Sequence, residues 1–158
     1  MFLKKKSIRF EESDVAKTYL ILDEARLYNN NENFRILAYF SLALKSIDIP
    51  EGMSGSKIKK LDGINKKAKS IVCYLIGQLG KNDLYKDEID GDTVLNHALE
   101  LIDNARKIVG KKSALVECED NEKLKSFYER NGFEYIGKSE ETGLLSYVRL
   151  VNSQNKKV

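Results

Sequence analysis

The sequence predicts an α/β protein: one mixed, mostly antiparallel sheet of six or seven strands with helices on both faces. Three observations lead there. Short runs rich in strand formers alternate along the chain with segments of helical period. The run Ser70–Leu79 is apolar almost throughout, as a central strand covered on both faces is. With 158 residues, 42% of them apolar and 32% charged, the chain can bury one core and suits one domain better than two. That domain is placed at residues 1–151, and 152–158 read as a frayed tail.

Taken in order, Phe2–Glu12 is a short helix candidate and Thr18–Asp23 a short strand. Phe34–Ile49 is a longer strand. Its Ile36, Ala38, Phe40, Leu42 and Leu44 share one face, its Leu37, Tyr39 and Ala43 populate the other, and both faces are expected to be covered. Pro50, the only proline, ends it. Glu51–Lys69 reads as a connection containing glycine, serine and many lysines, and Ser70–Leu79 follows as the central strand. After the polar stretch Gly80–Asp92, a helix over Thr93–Val109 carries Val94, Ala98, Leu101, Ala105 and Ile108 on one stripe, and Gly110 stops it. Ser113–Cys118 is a strand. Asp120–Glu129 is a helix with Leu124, Phe127 and Tyr128 inward, and Asn131-Gly132 is its left-handed exit. Strands at Phe133–Ile136 and Leu144–Val151 complete the sheet. The long helix is expected on one face and the Asp120 helix on the other.

Composition narrows the functional classes. A net charge of +3 is too small for a wholly nucleic-acid-binding surface, so functional charge must be local. Cys73 and Cys118 lie in apolar runs without a second Cys or a His at ligand spacing, which predicts reduced core thiols and no metal site. The basic start Met1–Lys6 meets Glu11, Glu12 and Asp14 before any signal-peptide core, and no stretch approaches a membrane span. A cytoplasmic protein with no membrane partner is the expectation.

Chemistry concentrates near the carboxyl end. Asn121 through Tyr128, followed by Glu129-Arg130-Asn131-Gly132-Phe133, closely resembles the asparagine-to-tyrosine helix and Y-E-x-x-G-F turn of the GNAT superfamily of N-acetyltransferases. The resemblance runs from about Thr18 to Val151. It implies an enzyme that transfers an acetyl group from acetyl-CoA to a primary amine by direct attack in a ternary complex, without metal. In such enzymes the end of the central strand offers backbone amides to the acetyl and pantetheine groups, which implies Leu79, Gly80 and Lys81 here. The pyrophosphate is implied at the start of the long helix, where free amides and the helix dipole favour anions: Lys86, Gly91, Asp92 and Thr93. The segment Lys86–Gly91 departs from the family's glycine-rich loop, because Ile89 stands where the first glycine would be and Asp87, Glu88, Asp90 and Asp92 add carboxylates. An acidic helix start that merely complements the dipole is the competing reading.

By the same resemblance Tyr128 protonates the departing thiolate, and Asn121 both caps its helix and holds the pantetheine. The plain alternatives are a core tyrosine and a cap alone. Glu117, Glu119, Asp120 and Gln78 lie near strand ends, but no spacing singles out a general base. His97 reads as an ordinary surface or interhelical position, and Cys118 as a nucleophile lacks a His partner. The family usually begins with a strand and one or two helices, whereas only Phe2–Glu12 precedes Thr18. Either the chain is a shortened gene product, or a second copy or a partner subunit completes the acceptor wall. Glu51–Lys69 holds six lysines, at 57, 59, 60, 66, 67 and 69, against Glu51 and Asp62, which favours an anionic acceptor. Relatives with the same Phe-Tyr-x-x-x-Gly-Phe ending include toxins that acetylate the amino acid carried by a transfer RNA. Two alternatives stay open: that toxin-like reaction, and a non-catalytic coenzyme-A-binding or interaction module.

Overall fold

A computed structural model describes residues 6–24 and 34–152. Its elements are α1 (Ser7–Glu12), β1 (Lys17–Leu22), β2 (Ile36–Asp48), α2 (Gly55–Asp62), β3 (Ser70–Lys81), α3 (Gly91–Val109), β4 (Ser113–Cys118), α4 (Glu122–Arg130), β5 (Glu134–Lys138) and β6 (Leu145–Leu150). The strands form one six-stranded sheet in the order β1-β2-β3-β4-β6-β5. The pairs β1/β2, β4/β6 and β5/β6 are antiparallel. Phe2–Lys5 of the first helix candidate and 153–158 of the frayed tail lie outside the described residues.

The chain groups into two compact units, Met1–Ala43 with Ile76–Ala98, and Leu44–Leu75 with Leu99–Val158. In the first, β1 is an edge strand. The Thr18 amide donates to Glu11 Oε2 of α1 at 2.9 Å, so a helix carboxylate occupies a backbone donor on the strand's outer side. Lys17 holds that carboxylate at 3.1 Å and Asp14 at 2.7 Å. Tyr19 stacks on Phe40 of β2 with centroids 5.3 Å apart. Asn82 fastens the end of β3: its amide nitrogen and its side-chain nitrogen donate to the carbonyls of Leu37 and Ile36, both at 2.8 Å.

The second unit has a layer on each sheet face. Leu61 of α2 packs with Ile71 and Cys73 of β3, Leu115 of β4 and Val148 of β6. Ser113 Oγ donates to the Leu61 carbonyl at 3.0 Å, tying α2 to the sheet. Because side chains alternate along a strand, Tyr74, Val116, Cys118 and Tyr147 point the other way. There Tyr128 of α4 packs against Tyr147 with centroids 6.3 Å apart, and Tyr74 donates to the Gly110 carbonyl at the end of α3 at 2.6 Å.

Several expectations are corrected here. The end of α3 lies on the same face as α4, and the opposite face is taken by α2, a helix that the Glu51–Lys69 reading did not contain. Ser54 caps α2 by accepting from the Lys57 amide, and Gly63 ends it at φ 110°. The buried positions of α3 are Val94, Leu95, Ala98, Leu99 and Ile102, while Ile108 is 83% exposed. A stripe drawn at a strict spacing drifts around a straight helix, and the broader i, i+1, i+4 band faces the sheet. Leu44 is 63% exposed, so β2 is covered on both faces only around Ala38–Ser41. Strand β3 continues two residues past Leu79, and α3 begins two residues before Thr93.

Candidate coenzyme and transfer site

The residues implied by the family resemblance fall into two groups, one in each unit. In the first unit, Lys81, Lys86, Asp87, Glu88, Ile89, Asp90 and Thr93 line an open depression of about 420 Å³ between the end of β3 and the start of α3. Lys86 and Thr93, implied together at the pyrophosphate, and Lys81, implied at the pantetheine, all line it. Lys81 Nζ donates to the Lys86 carbonyl at 2.7 Å, which fixes the connecting segment against the strand end. Gly80 is closely packed: a Cβ there would lie 3.0 Å from the Tyr39 ring, which would have to give by a few tenths of an ångström. Leu79 is partly buried on the same strand end, and Gly91 and Asp92 open α3.

The acidic crowding is partly resolved by contacts that the local sequence does not reveal. Arg35 Nη1 holds Glu88 Oε1 at 2.8 Å, its other nitrogens bond Asp23, and its guanidinium lies 4.7 Å from the centre of the Tyr85 ring. Asp90 is the N-cap in substance: its Oδ1 accepts from the Thr93 amide at 2.6 Å, and this bond, reinforced by the Thr93 hydroxyl, holds its carboxyl below the usual range. A carboxylate of the chain thus occupies an amide of the helix start that a phosphate would otherwise take. Both features were missed. Arg35 pairs across 53 residues, whereas Asp90 carried a legible signal, an aspartate three residues before a threonine at a helix start.

In the second unit, Asn121 caps α4, its Oδ1 accepting from the Lys123 amide at 2.9 Å and the Leu124 amide at 3.4 Å. Gly132, at φ 78°, provides the left-handed exit. Phe133 N donates to the Tyr128 carbonyl at 3.0 Å, Asn131 Nδ2 to the Phe127 carbonyl at 2.9 Å, and Arg149 Nη1 to the Asn131 carbonyl at 2.8 Å. Three otherwise open groups at the helix end are therefore satisfied, and the turn holds Tyr128 in place.

Tyr128 is 8% exposed, with Phe127 and Phe133 against it edge-on at centroid distances of 5.1 and 5.7 Å. Burial, with the neighbouring Cys118 adding a little, pushes its hydroxyl up to about 12. The Cys118 thiol is also pushed up, by burial and then by Asp120. Both cysteines are free and buried. Glu117 is held by Lys45, Nζ lying 2.8 Å from Oε1 and 2.7 Å from Oε2. Asp120 is bound by Lys125 at 2.9 Å, with Lys138 at 3.8 Å. His97 is exposed. Among the described residues no cluster of three or more His, Cys, Asp or Glu could hold a metal, and no helix is long and apolar enough to cross a membrane.

No family model matches the sequence, and no curated protein does. Solved structures do match. AtaT complexed with acetyl-methionyl-tRNAfMet superposes with a TM-score of 0.72 at 22% identity, over 94% of this chain and 79% of that one. This is the GNAT fold. A tyrosine-to-phenylalanine mutant of KacT (TM-score 0.68, 23% identity) covers 93% of this chain and 79% of its own. AtaTR bound with AcCoA (0.66, 22%) covers 93% and 78%. Among the described residues, six of the expected six or seven strands are present.

Proposed function

We propose that this chain is an acetyl-CoA-dependent N-acetyltransferase acting on a primary amine in the cytoplasm. The observation that carries the reading is the folded Asn121–Phe133 unit, which buries Tyr128 beside Cys118 and leaves the phenol protonated throughout the neutral range. A phenol near 12 is a weak acid, yet the burial that raises it also raises a thiol beside it, as Cys118 illustrates. Tyr128 therefore carries its proton when a thiolate develops, which is what general-acid assistance needs.

The chain fits the coenzyme in its residue types. Lys81 and Lys86 supply two ammonium groups to the pyrophosphate at the start of α3, with Gly91, Asp92 and Thr93 as the helix-start backbone. The end of β3, Leu79 to Lys81, supplies the pantetheine-facing backbone. Acetyl-CoA, when bound, supplies the acetyl group as a thioester; Tyr128 holds the proton that the sulfur needs.

An aminoacyl-tRNA is the second reading, as acceptor. It is favoured by the exposed Lys59, Lys60, Lys66, Lys67 and Lys69 around α2, and by the complex of AtaT with acetyl-methionyl-tRNAfMet among similar structures. A partner subunit is supported by the structure of AtaT bound to the C-terminus of the antitoxin AtaR. Thermal-shift and calorimetric titration with acetyl-CoA tests the whole reading: saturable stabilisation is expected, and no response at millimolar ligand leaves the interaction module. Tyr128→Phe is expected to lower turnover about 10- to 1,000-fold while coenzyme binding is kept.

A further inference from the structure

The connection from β3 to α3 holds no glycine between Lys81 and Asp90, so it lacks the residue that lets a backbone wrap closely around phosphate. One amide of the α3 start is also taken, because Asp90 Oδ1 accepts from Thr93 N at 2.6 Å. What the depression does offer an anion is two exposed ammonium groups, Lys81 and Lys86. They stand beside three carboxylates, Asp87, Glu88 and Asp90, which leaves the lining net negative. A pyrophosphate binds there only if the ammonium groups lead and the carboxylates are restrained.

The restraint comes from Arg35, the residue before β2. Its Nε and Nη2 both donate to Asp23 Oδ2, which fixes the plane of the guanidinium, and Nη1 donates to Glu88 Oε1 at 2.8 Å. The Tyr85 ring lies against the same group, its centre 4.7 Å from Cζ. Arg35 therefore grips residues 85 and 88, on either side of Lys86 and Asp87. Glu88 N donates to the Tyr85 carbonyl at 2.9 Å, closing the gripped segment into a turn, and Lys81 Nζ holds the Lys86 carbonyl at 2.7 Å. The side chains of Arg35 and Asp23 are 20% and 14% exposed, whereas that of Glu88 is 43% exposed. Asp23 is thus the sheltered anchor of the grip, and Glu88 its outer end. A planar guanidinium can hold two carboxylates and a ring at once, which a lysine ammonium cannot.

On the acetyltransferase reading, we propose that Arg35 is the positioning residue of the coenzyme's phosphate end. By gripping Tyr85 and Glu88 it sets the turn from which Lys86 meets the pyrophosphate, and it keeps the Glu88 carboxylate paired. The phosphates are held by side-chain cations on a clamped turn, in place of amides on a glycine-rich loop. The role concerns the anionic tail of the donor and leaves the thioester alone.

The test uses the full chain and two donors, acetyl-CoA and S-acetylpantetheine, which carries the same thioester without phosphate or adenosine. Calorimetry gives Kd, and thiol release with glycinamide as acceptor gives kcat and KM; calorimetry alone decides if glycinamide is not accepted. Arg35→Met is expected to raise Kd and KM for acetyl-CoA about tenfold or more, with kcat kept and S-acetylpantetheine unaffected. Arg35→Lys falls between this variant and the wild type. In a Lys86→Gln background the Arg35→Met change is expected to cost less than about threefold, because a residue acting through Lys86 has little left to position. Asp23→Asn combined with Arg35→Met removes both charges of the sheltered pair, so it folds where Arg35→Met alone does not, and it shows the same selective loss. Tyr85→Leu loosens the grip without changing any charge and is expected to weaken acetyl-CoA alone about threefold. An acetyl-CoA Kd unmoved in the variants that fold, an equal loss with both donors, or full additivity with Lys86→Gln overturns the role and leaves an ion pair at a strand end. If the wild type binds neither donor at millimolar concentration, the acetyltransferase reading falls and this role with it. Wild-type binding that the variants share unchanged sinks the Arg35 role alone.

Discussion

At the level of single residues, Tyr128 and Cys73 make the alkaline behaviour predictable. Burial raises Tyr128 to about 12 and Cys73 likewise to about 12, whereas in an unfolded chain such groups ionise near 10 and 8.5. The unfolded state therefore loses these protons first. The stability both groups contribute is complete below about pH 8.5 and is lost as pH rises toward 12. Chemical denaturation from pH 8 to 11.5 is expected to show this decline, with a shallower slope in Tyr128→Phe, which has no proton to lose there. An identical slope in the two proteins would mean that Tyr128 is not buried as described. This residue was legible because a local motif carries it: the asparagine, tyrosine and glycine all fall within one helix and its exit. Arg35 was not. Its partners, Asp23 and Glu88, are distant in sequence, and nothing about an arginine before a strand specifies where its guanidinium will go.

Whole elements show the same division. Helix α4 runs Glu122–Arg130 where Asp120–Glu129 is expected, and its ends are set by Asn121 and Gly132, each with a backbone reason. Helix α2 was read as a loop because Gly55, Ser56 and four polar positions obscured one anchoring residue, Leu61, whose burial depends on β3, β4 and β6. Helix α3 starts two residues before the expected Thr93, because Asp90 caps it. Asp90→Asn separates the two functions. Asparagine caps about as well as aspartate, so unfolding should change little, while the charge beside the depression disappears. Acetyl-CoA affinity is expected to rise about two- to tenfold by calorimetry, since one exposed like-charge contact is worth on the order of 1 kcal/mol. Unchanged or weaker affinity would place the pyrophosphate elsewhere.

For the molecule as a whole, the fold class was legible from alternating periodicities, yet the face of each helix was not, since periodicity says which residues are inward and not which side of a sheet they meet. The distribution of charge makes a further prediction. If charged tRNA is the acceptor, replacing Lys59, Lys60 and Lys66 with Gln should lower the slope of log affinity against log salt by about two to three, at roughly 0.7 to 0.9 per phosphate contact. A slope that does not change removes the polyanion reading and leaves a small amine. The carboxylate that Glu11 lends to Thr18 has a consequence for storage and expression of the protein. An outermost strand with a vacant amide and apolar neighbours such as Leu20, 45% exposed, is a template for adding strands from other molecules. Glu11 blocks the first rung of that ladder, and Thr18 together with Lys17 lowers its proton affinity, so the block persists until pH falls below the ordinary carboxylate range. Light scattering of concentrated samples is expected to rise on acidification, and Glu11→Ala to scatter at neutral pH what the parent scatters only in acid; equal clarity of the two would show that the edge is guarded by something else.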